Sequence, residues 1–294
     1  MTLRFSSLAS MIAVGVLAAT VSSCSVMDSL SPRPDRELTQ LALLARDDAA
    51  QAEAVGDPAL ADLRTGHADA LDAEILRLCG VDDTGAAPAS CTGDAATHAT
   101  PLDDTGLNAY TSVWQDLPDE SRSLVAAQAI DHLAAALADP LTELSAPKSK
   151  DDLAALKNHT GTEQAAAYTL EASAAFTNTP GVGAIMERRD HRLLALEGIL
   201  GSLPVPAPAY TYEGHQLGDG AIVATEKQTL AMWTKAAAES DDPAAFLLLG
   251  ADALRGFREI DPTASAVALL TQQAATPEAS SAAPESSTPK ASTP

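Results

Sequence analysis

The stretch DDLAALKNHTGTEQAAAYTLEASAAFTNTPGVGAIMERRDHRLLALEGILGSL, residues 151–203, carries the reading on which the fold turns. Over 151–176, Leu153, Leu156, Thr160, Glu163, Ala167, Leu170 and Ala174 recur every three or four positions, which is one face of a 3.6-residue helix. Over 182–203, Val182, Met186, Arg189, Leu193, Leu196, Leu200 and Leu203 do the same. Between them Thr177-Asn178-Thr179-Pro180-Gly181 ends one helix and starts the next. Helices joined by so short a connection lie antiparallel. Each stripe places one charged side chain, Glu163 or Arg189, where its neighbours are small or apolar.

Outward from this pair the chain reads as further helices with almost no alternating pattern, so the fold class is all-α. Residues 35–79 form a helical hairpin in which Asp35 caps the first helix and Gly56-Asp57-Pro58 separates it from the second. Residues 80–118 shift to Gly, Pro, Thr, Asp and Ser and read as a long loop whose far end is docked by Tyr110 and Trp114. Residues 119–271 then form a helical bundle: a helix over 119–138, the quoted pair, a Pro-rich crossover at 204–220, and helices near 222–238 and 243–260. Residues 272–294, Ala, Ser, Thr and Pro, cannot bury a core and read as disordered.

Of 294 residues, 46% are hydrophobic but only 3% aromatic, and 40 acidic side chains face 18 basic ones. A net charge of -22 opposes polyanions, because each phosphate contact needs a Lys or Arg, so nucleic acid is excluded as a partner. At the N-terminus a single Arg4 precedes an apolar run from Leu8 to Ala19, too short for a stable span, so residues 1–23 read as a signal peptide. Val21-Ser22-Ser23-Cys24 resembles the lipobox of bacterial lipoproteins. The resemblance implies cleavage before a lipidated Cys24, a mature charge of -23 once Arg4 is lost, and residues 24–34 as a tether. It also implies a protein anchored to the outer face of the cell membrane, since two or three acyl chains hold stably. Cys79 and Cys91 remain, an even pair in an exported protein, and are expected to form a disulfide; no His or further Cys stands at zinc-finger spacing.

Glu163-Gln164-Ala165-Ala166-Ala167-Tyr168, Arg188-Arg189-Asp190-His191-Arg192-Leu193 and Pro208-Ala209-Tyr210 together resemble an uncharacterised ferritin-like family of high-GC Gram-positive bacteria, a domain of unknown function. The resemblance covers residues 119–260. It implies a ferritin-like four-helix bundle, here with the additional N-terminal antiparallel hairpin. Ferritin-like bundles hold two metals with carboxylates and a repeated Glu-x-x-His, and no Glu-x-x-His occurs anywhere in this chain.

A buried ion pair can stand in for the metal. With the connection at 177–181, Arg189 lies level with Glu171 and Tyr168, so the expected pair is Arg189 with Glu171, the alternative being an Arg189 that reaches solvent. Glu163 falls two turns deeper, near Leu196 and Glu197; if those two carboxylates meet, they share a proton or hold a cation. The metal alternative is therefore iron or manganese on Glu163, Glu171, Glu197 and His191. His67, on an apolar stripe, reads as a satisfied core histidine, and Asp131-His132 point to different helix faces. The functional expectation is a cell-envelope lipoprotein whose bundle is a non-catalytic binding or interaction module, needing no cofactor and partnered by an envelope protein or a small ligand. The alternative is a degenerate ferritin-like protein that binds or oxidises the metal.

Overall fold

Asp35 opens the chain's first helix by accepting the Leu38 N–H at 2.9 Å. This helix, α1 (Arg36–Val55), stops at Gly56, whose φ of 81° is left-handed. Asp57 then caps α2 (Pro58–Cys79), with Pro58 in the first turn where no N–H is needed. Leu38, Leu41, Ala42 and Ala45 of α1 and Ala68, Leu71 and Ile75 of α2 are buried, so the hairpin closes on an apolar seam. A disulfide joins Cys79, the last residue of α2, to Cys91. The computed structural model describes residues 32–81, 85–92, 100, 102–206 and 216–275. The signal peptide, Cys24, most of the tether, Pro208-Ala209-Tyr210 and residues 276–294 lie outside the described residues.

The segment expected to be loop throughout contains α3 (Gly106–Val113), followed by a 3-10 turn at Trp114–Asp116. Leu107, Tyr110 and Trp114 lie at helical spacing, and the Trp114 indole donates to the Ser240 carbonyl at 2.9 Å. Tertiary contact of this kind orders a sequence too short and polar to be helical by itself. Next come α4 (Arg122–Ala136), α5 (Lys150–Ala174), α6 (Val182–Leu200), α7 (Asp219–Glu239), α8 (Ala244–Arg258) and α9 (Ala266–Ala275). The last of these carries helix through 272–275, residues read from composition as tail. The Asp131 carboxylate creates its start, accepting from Ala266 N at 2.9 Å, Val267 N at 3.2 Å and the Ser265 hydroxyl at 2.8 Å. Among the described residues there is no strand, and no helix is long and apolar enough to cross a membrane.

Helices α5, α6, α8 and α7 surround a common centre in that order, each packed on two neighbours. Neighbours run antiparallel: His159 of α5 meets Trp233 of α7, while Thr179 at the other end meets Asp219. Gly181, at the turn into α6, meets Glu259 beyond α8, while Arg192 reaches Asp252. A Cβ at Gly181 would stand 2.4 Å from the Glu259 carbonyl oxygen, so only glycine permits this approach. Helix α8 is buried from Ala245 to Leu254 on all sides because α4 lies against it as well. Ile130 of α4 occupies the space where a Gly250 side chain would be, its Cδ1 2.6 Å from such a Cβ.

The hairpin is held to α3 and α4 by a second, polar contact. Arg64 bonds Asp48 at 2.8 Å and donates from Nη1 to His67 Nδ1 and the Tyr110 hydroxyl, both at 3.0 Å. Arg can only donate, so His67 accepts at Nδ1 and is neutral, and the Tyr110 hydroxyl donates a hydrogen bond to His132 Nδ1 at 3.1 Å. Burial pushes the Tyr110 hydroxyl up to about 12, which keeps that proton in place. Burial, with Arg64 adding repulsion, drives His132 down to about 3, and burial lowers His67.

Both histidines bind protons more weakly folded than unfolded, so the stability they confer is complete above pH 6.5 and declines below it, in the case of His132 until pH reaches about 3. Unfolding free energy should drop by up to about 1.4 kcal/mol per pH unit on account of His132 between pH 6.5 and 4.5, above the range of ordinary carboxylates, with His67 acting in the same direction. Urea titrations across that window should show the slope, and His132→Asn should reduce it; an unchanged slope would remove His132 from the account.

Candidate functional site

At the centre of the four helices a cluster of charged and hydrogen-bonding side chains is buried among apolar ones. Helix α5 contributes Glu163, α6 contributes Arg188, Arg189 and Arg192, α7 contributes Glu226, Thr229 and Trp233, and α8 contributes Asp252. The three-residue steps from Arg189 to Arg192 and from Glu226 to Thr229 keep each set on one helical face. Arg189 donates from Nη1 to Glu163 Oε2, and from Nη2 to Glu226 Oε1 at 2.5 Å and Thr229 at 3.2 Å. Arg192 donates to Glu163 Oε1 at 3.2 Å and to Asp252 at 2.7 Å, and Arg188 reaches the other Asp252 oxygen at 3.1 Å. The Trp233 indole N–H completes the set on Glu163 Oε1 at 2.7 Å.

Glu163, Arg189 and Arg192 are all 0% exposed. Burial alone would raise the Glu163 carboxyl, but Arg189, Arg192 and the Trp233 N–H together hold it below the usual carboxylate range. Burial likewise works against the Arg192 charge and is outweighed by Glu163, Asp252 and Glu226, which raise it. Glu163 and Arg192 therefore stay ionised. The carboxylates of Glu163, Glu226 and Asp252 are matched by the guanidinium groups of Arg188, Arg189 and Arg192, and the charges cancel.

Arg189 does not pair with Glu171. Eight residues advance a helix by about 80° beyond whole turns, which takes Glu171 off the face that carries Glu163 and leaves it exposed. The same rotation separates Glu197 from Arg189, so Glu197 is exposed and does not meet Glu163. His191 is exposed as well, and the set Glu163, Glu171, Glu197 and His191 is not brought together. Among the described residues no group of three or more His, Cys, Asp and Glu is arranged to hold a metal. Glu171 instead lies on the rim of a cleft of about 240 Å³ between α5 and α6, lined also by Ala167, Leu170, Met186 and Arg189. His67, Asp131 and His132 belong to the separate polar contact beneath the hairpin.

Sequence reasoning missed Arg192, Glu226, Trp233 and Asp252. Asp252 had a visible signal, a lone acid within the apolar run Phe246 to Leu254. Arg192 stands one turn beyond Arg189. Glu226 had none, since α7 has acids and lysines on several faces. Comparison with protein-family models, curated proteins and solved structures yields no match for this chain.

Arg189→Met strips Glu163 and Glu226 of a shared partner in a place water does not reach, and unfolding stability in urea should fall by about 3–5 kcal/mol. Glu171→Gln on the exposed rim should change it by less than about 0.5 kcal/mol. Equal effects of the two would contradict the assigned partners.

Proposed function

We propose that this chain is an extracytoplasmic lipoprotein, held at the outer face of the cell membrane through Cys24, whose helical bundle is ferritin-like in arrangement and non-catalytic in use: a binding or interaction module for an envelope partner. The order of neighbours supports the ferritin-like part. Two antiparallel pairs, α5 with α6 and α7 with α8, are joined by the crossover 201–218, and the crossover's two helices stand diagonally across the centre. Ferritin-like bundles place inward carboxylates and Glu-x-x-His pairs from facing helices at that centre.

The observation that carries the non-catalytic part is what occupies this position here. Glu163 spends its oxygens on Arg189, Arg192 and Trp233, and Asp252 is held by Arg188 and Arg192. A divalent cation there would face guanidinium groups at hydrogen-bond distance from the same carboxylates, and among the described residues no group of three or more His, Cys, Asp and Glu is arranged to hold it. The donor set does not fit iron or manganese, and no reaction is routed through them. The network does what a metal does mechanically, tying four helices at one level, and leaves the outer faces to recognition. The acidic surface and the α5–α6 cleft are the features such recognition would use.

Protein purified after growth with excess iron or manganese should carry well under one metal per chain, and Glu163→Gln should not alter that content; stoichiometric metal lost in Glu163→Gln would restore the metal reading. Cys24→Ala should abolish labelling by a fatty-acid probe and release the protein from the membrane fraction. Capture from intact envelopes should then recover a specific partner with the lipidated protein, and recovery of bulk lipoproteins alone would count against an interaction module.

A further inference from the structure

The α1–α2 hairpin is held together more firmly than it is held to the rest of the chain. Its two helices pack extensively on each other and share the Arg46–Asp72 ion pair, whereas α1 meets α3, and α2 meets α4, over only a few residues. Cys91 is bonded to Cys79, and Ser90 donates to the Pro32 carbonyl at 2.6 Å, so residues 89–91 belong to the hairpin's end. The covalent path onward to α3 runs through residues 92–105. Where the hairpin meets α3 and α4, the polar contact is built around two enclosed histidines, His67 at 3% and His132 at 6% exposure.

His67 faces Arg64 of its own helix, whose Nη1 is 3.0 Å from Nδ1, and Asp131 of α4, whose Oδ2 is 3.9 Å from Nε2. His132 faces Tyr110 of α3 at 3.1 Å and Asp48 of α1 at 3.7 Å, with the charge of Arg64 and the ring of His67 close by. Neither carboxylate is free to receive a charged ring. Asp48 is bound by Arg64 at 2.8 Å, and Asp131 is taken by the Ala266 and Val267 N–H groups and the Ser265 hydroxyl, with Arg258 at 3.6 Å. A proton on His67 Nδ1 would face an Arg64 N–H, and one on His132 Nδ1 would face the Tyr110 hydroxyl proton.

We propose that the hairpin is an acid-released arm: in mild acid His67 and His132 take up protons that the docked arrangement cannot hold, and α1–α2 leaves α3 and α4 as a unit while α5–α8 keep their fold. The bundle has no such enclosed pair. Its His159, beside Trp233 and Phe246, is only half-buried, His191 is exposed, and Glu163 at the centre is held below the usual carboxylate range. Leu71 and Ile75 of α2 share one apolar core with Tyr110 and Val113 of α3 and Val125 of α4, so release bares part of that core.

Amide hydrogen exchange of the full chain between pH 7.5 and 5.5, corrected for the intrinsic pH dependence of exchange, tests this. Two helices alone bury too little core to protect their amides, so release appears as faster exchange in α1 and α2. Below pH 6.5 the opening equilibrium of α1 and α2 should rise by up to about tenfold per pH unit on account of His132, with His67 adding in the same direction. Helices α5–α8 should rise by less than about threefold over the whole range, given the half-buried His159. A rise by the same factor in both sets, or none in the hairpin, overturns the proposal. An NMR titration of the histidine rings in the unsubstituted protein reads the same device without relying on a variant. Rings that stay neutral at pH 5.5 for as long as the hairpin remains protected support it, and a His132 that charges near pH 6.5 with the hairpin still protected overturns it.

Discussion

The Glu163 carboxylate is clamped between two guanidinium groups and an indole N–H where no solvent reaches. Taking a carboxylate out of water costs several kcal/mol unless its oxygens are fully engaged, so the positions of Arg189, Arg192 and Trp233 are not free to vary. That requirement sets the register of α5 against α6 and α7, and through Asp252 it sets α8. Apolar seams of Ala and Leu would tolerate a slide of one helical turn. Charges at hydrogen-bond distance do not. The network contributes less to net stability than to the choice of one helix arrangement among several, which is the use of buried polar groups best suited to an alanine-rich chain.

A second polar contact does the same for the hairpin. Asp48 and Arg64, with Tyr110 and His132, join α1 and α2 to the rest of the domain through hydrogen bonds that require neutral histidines. The pairs beneath the hairpin and those in the bundle centre respond to acid for different reasons. In the first, histidines must gain a charge beside Arg64; in the second, a carboxylate must lose one. The hairpin contact therefore weakens at the higher pH.

Much of the helical architecture was legible because helix signals are local. Asp35, Gly56-Asp57-Pro58 and Thr177-Asn178-Thr179-Pro180-Gly181 act within a turn of where they stand, and the described residues are all-helical. The short helices α3 and α9 were not legible, because each is formed by a distant contact: Trp114 on Ser240, and Asp131 at the head of α9. At the site, Glu163 and Arg189 stood out as charges on apolar stripes, but pairing Arg189 with Glu171 went wrong by a helix rotation. A stripe tells which residues face inward on one helix; it does not tell how far the partner helix is shifted. Glu226 and Asp252 come from helices beyond the quoted stretch, and only the folded arrangement brings them to Arg189 and Arg192.

Glu163 and Arg189 interact directly and tie α5 to α6 at the centre of the bundle. A double-mutant cycle with Glu163→Gln and Arg189→Met, read by urea unfolding, tests it most directly. The account predicts a coupling free energy above about 2 kcal/mol between the two sites. Coupling below about 0.5 kcal/mol would mean that the two residues act independently, and would contradict the account.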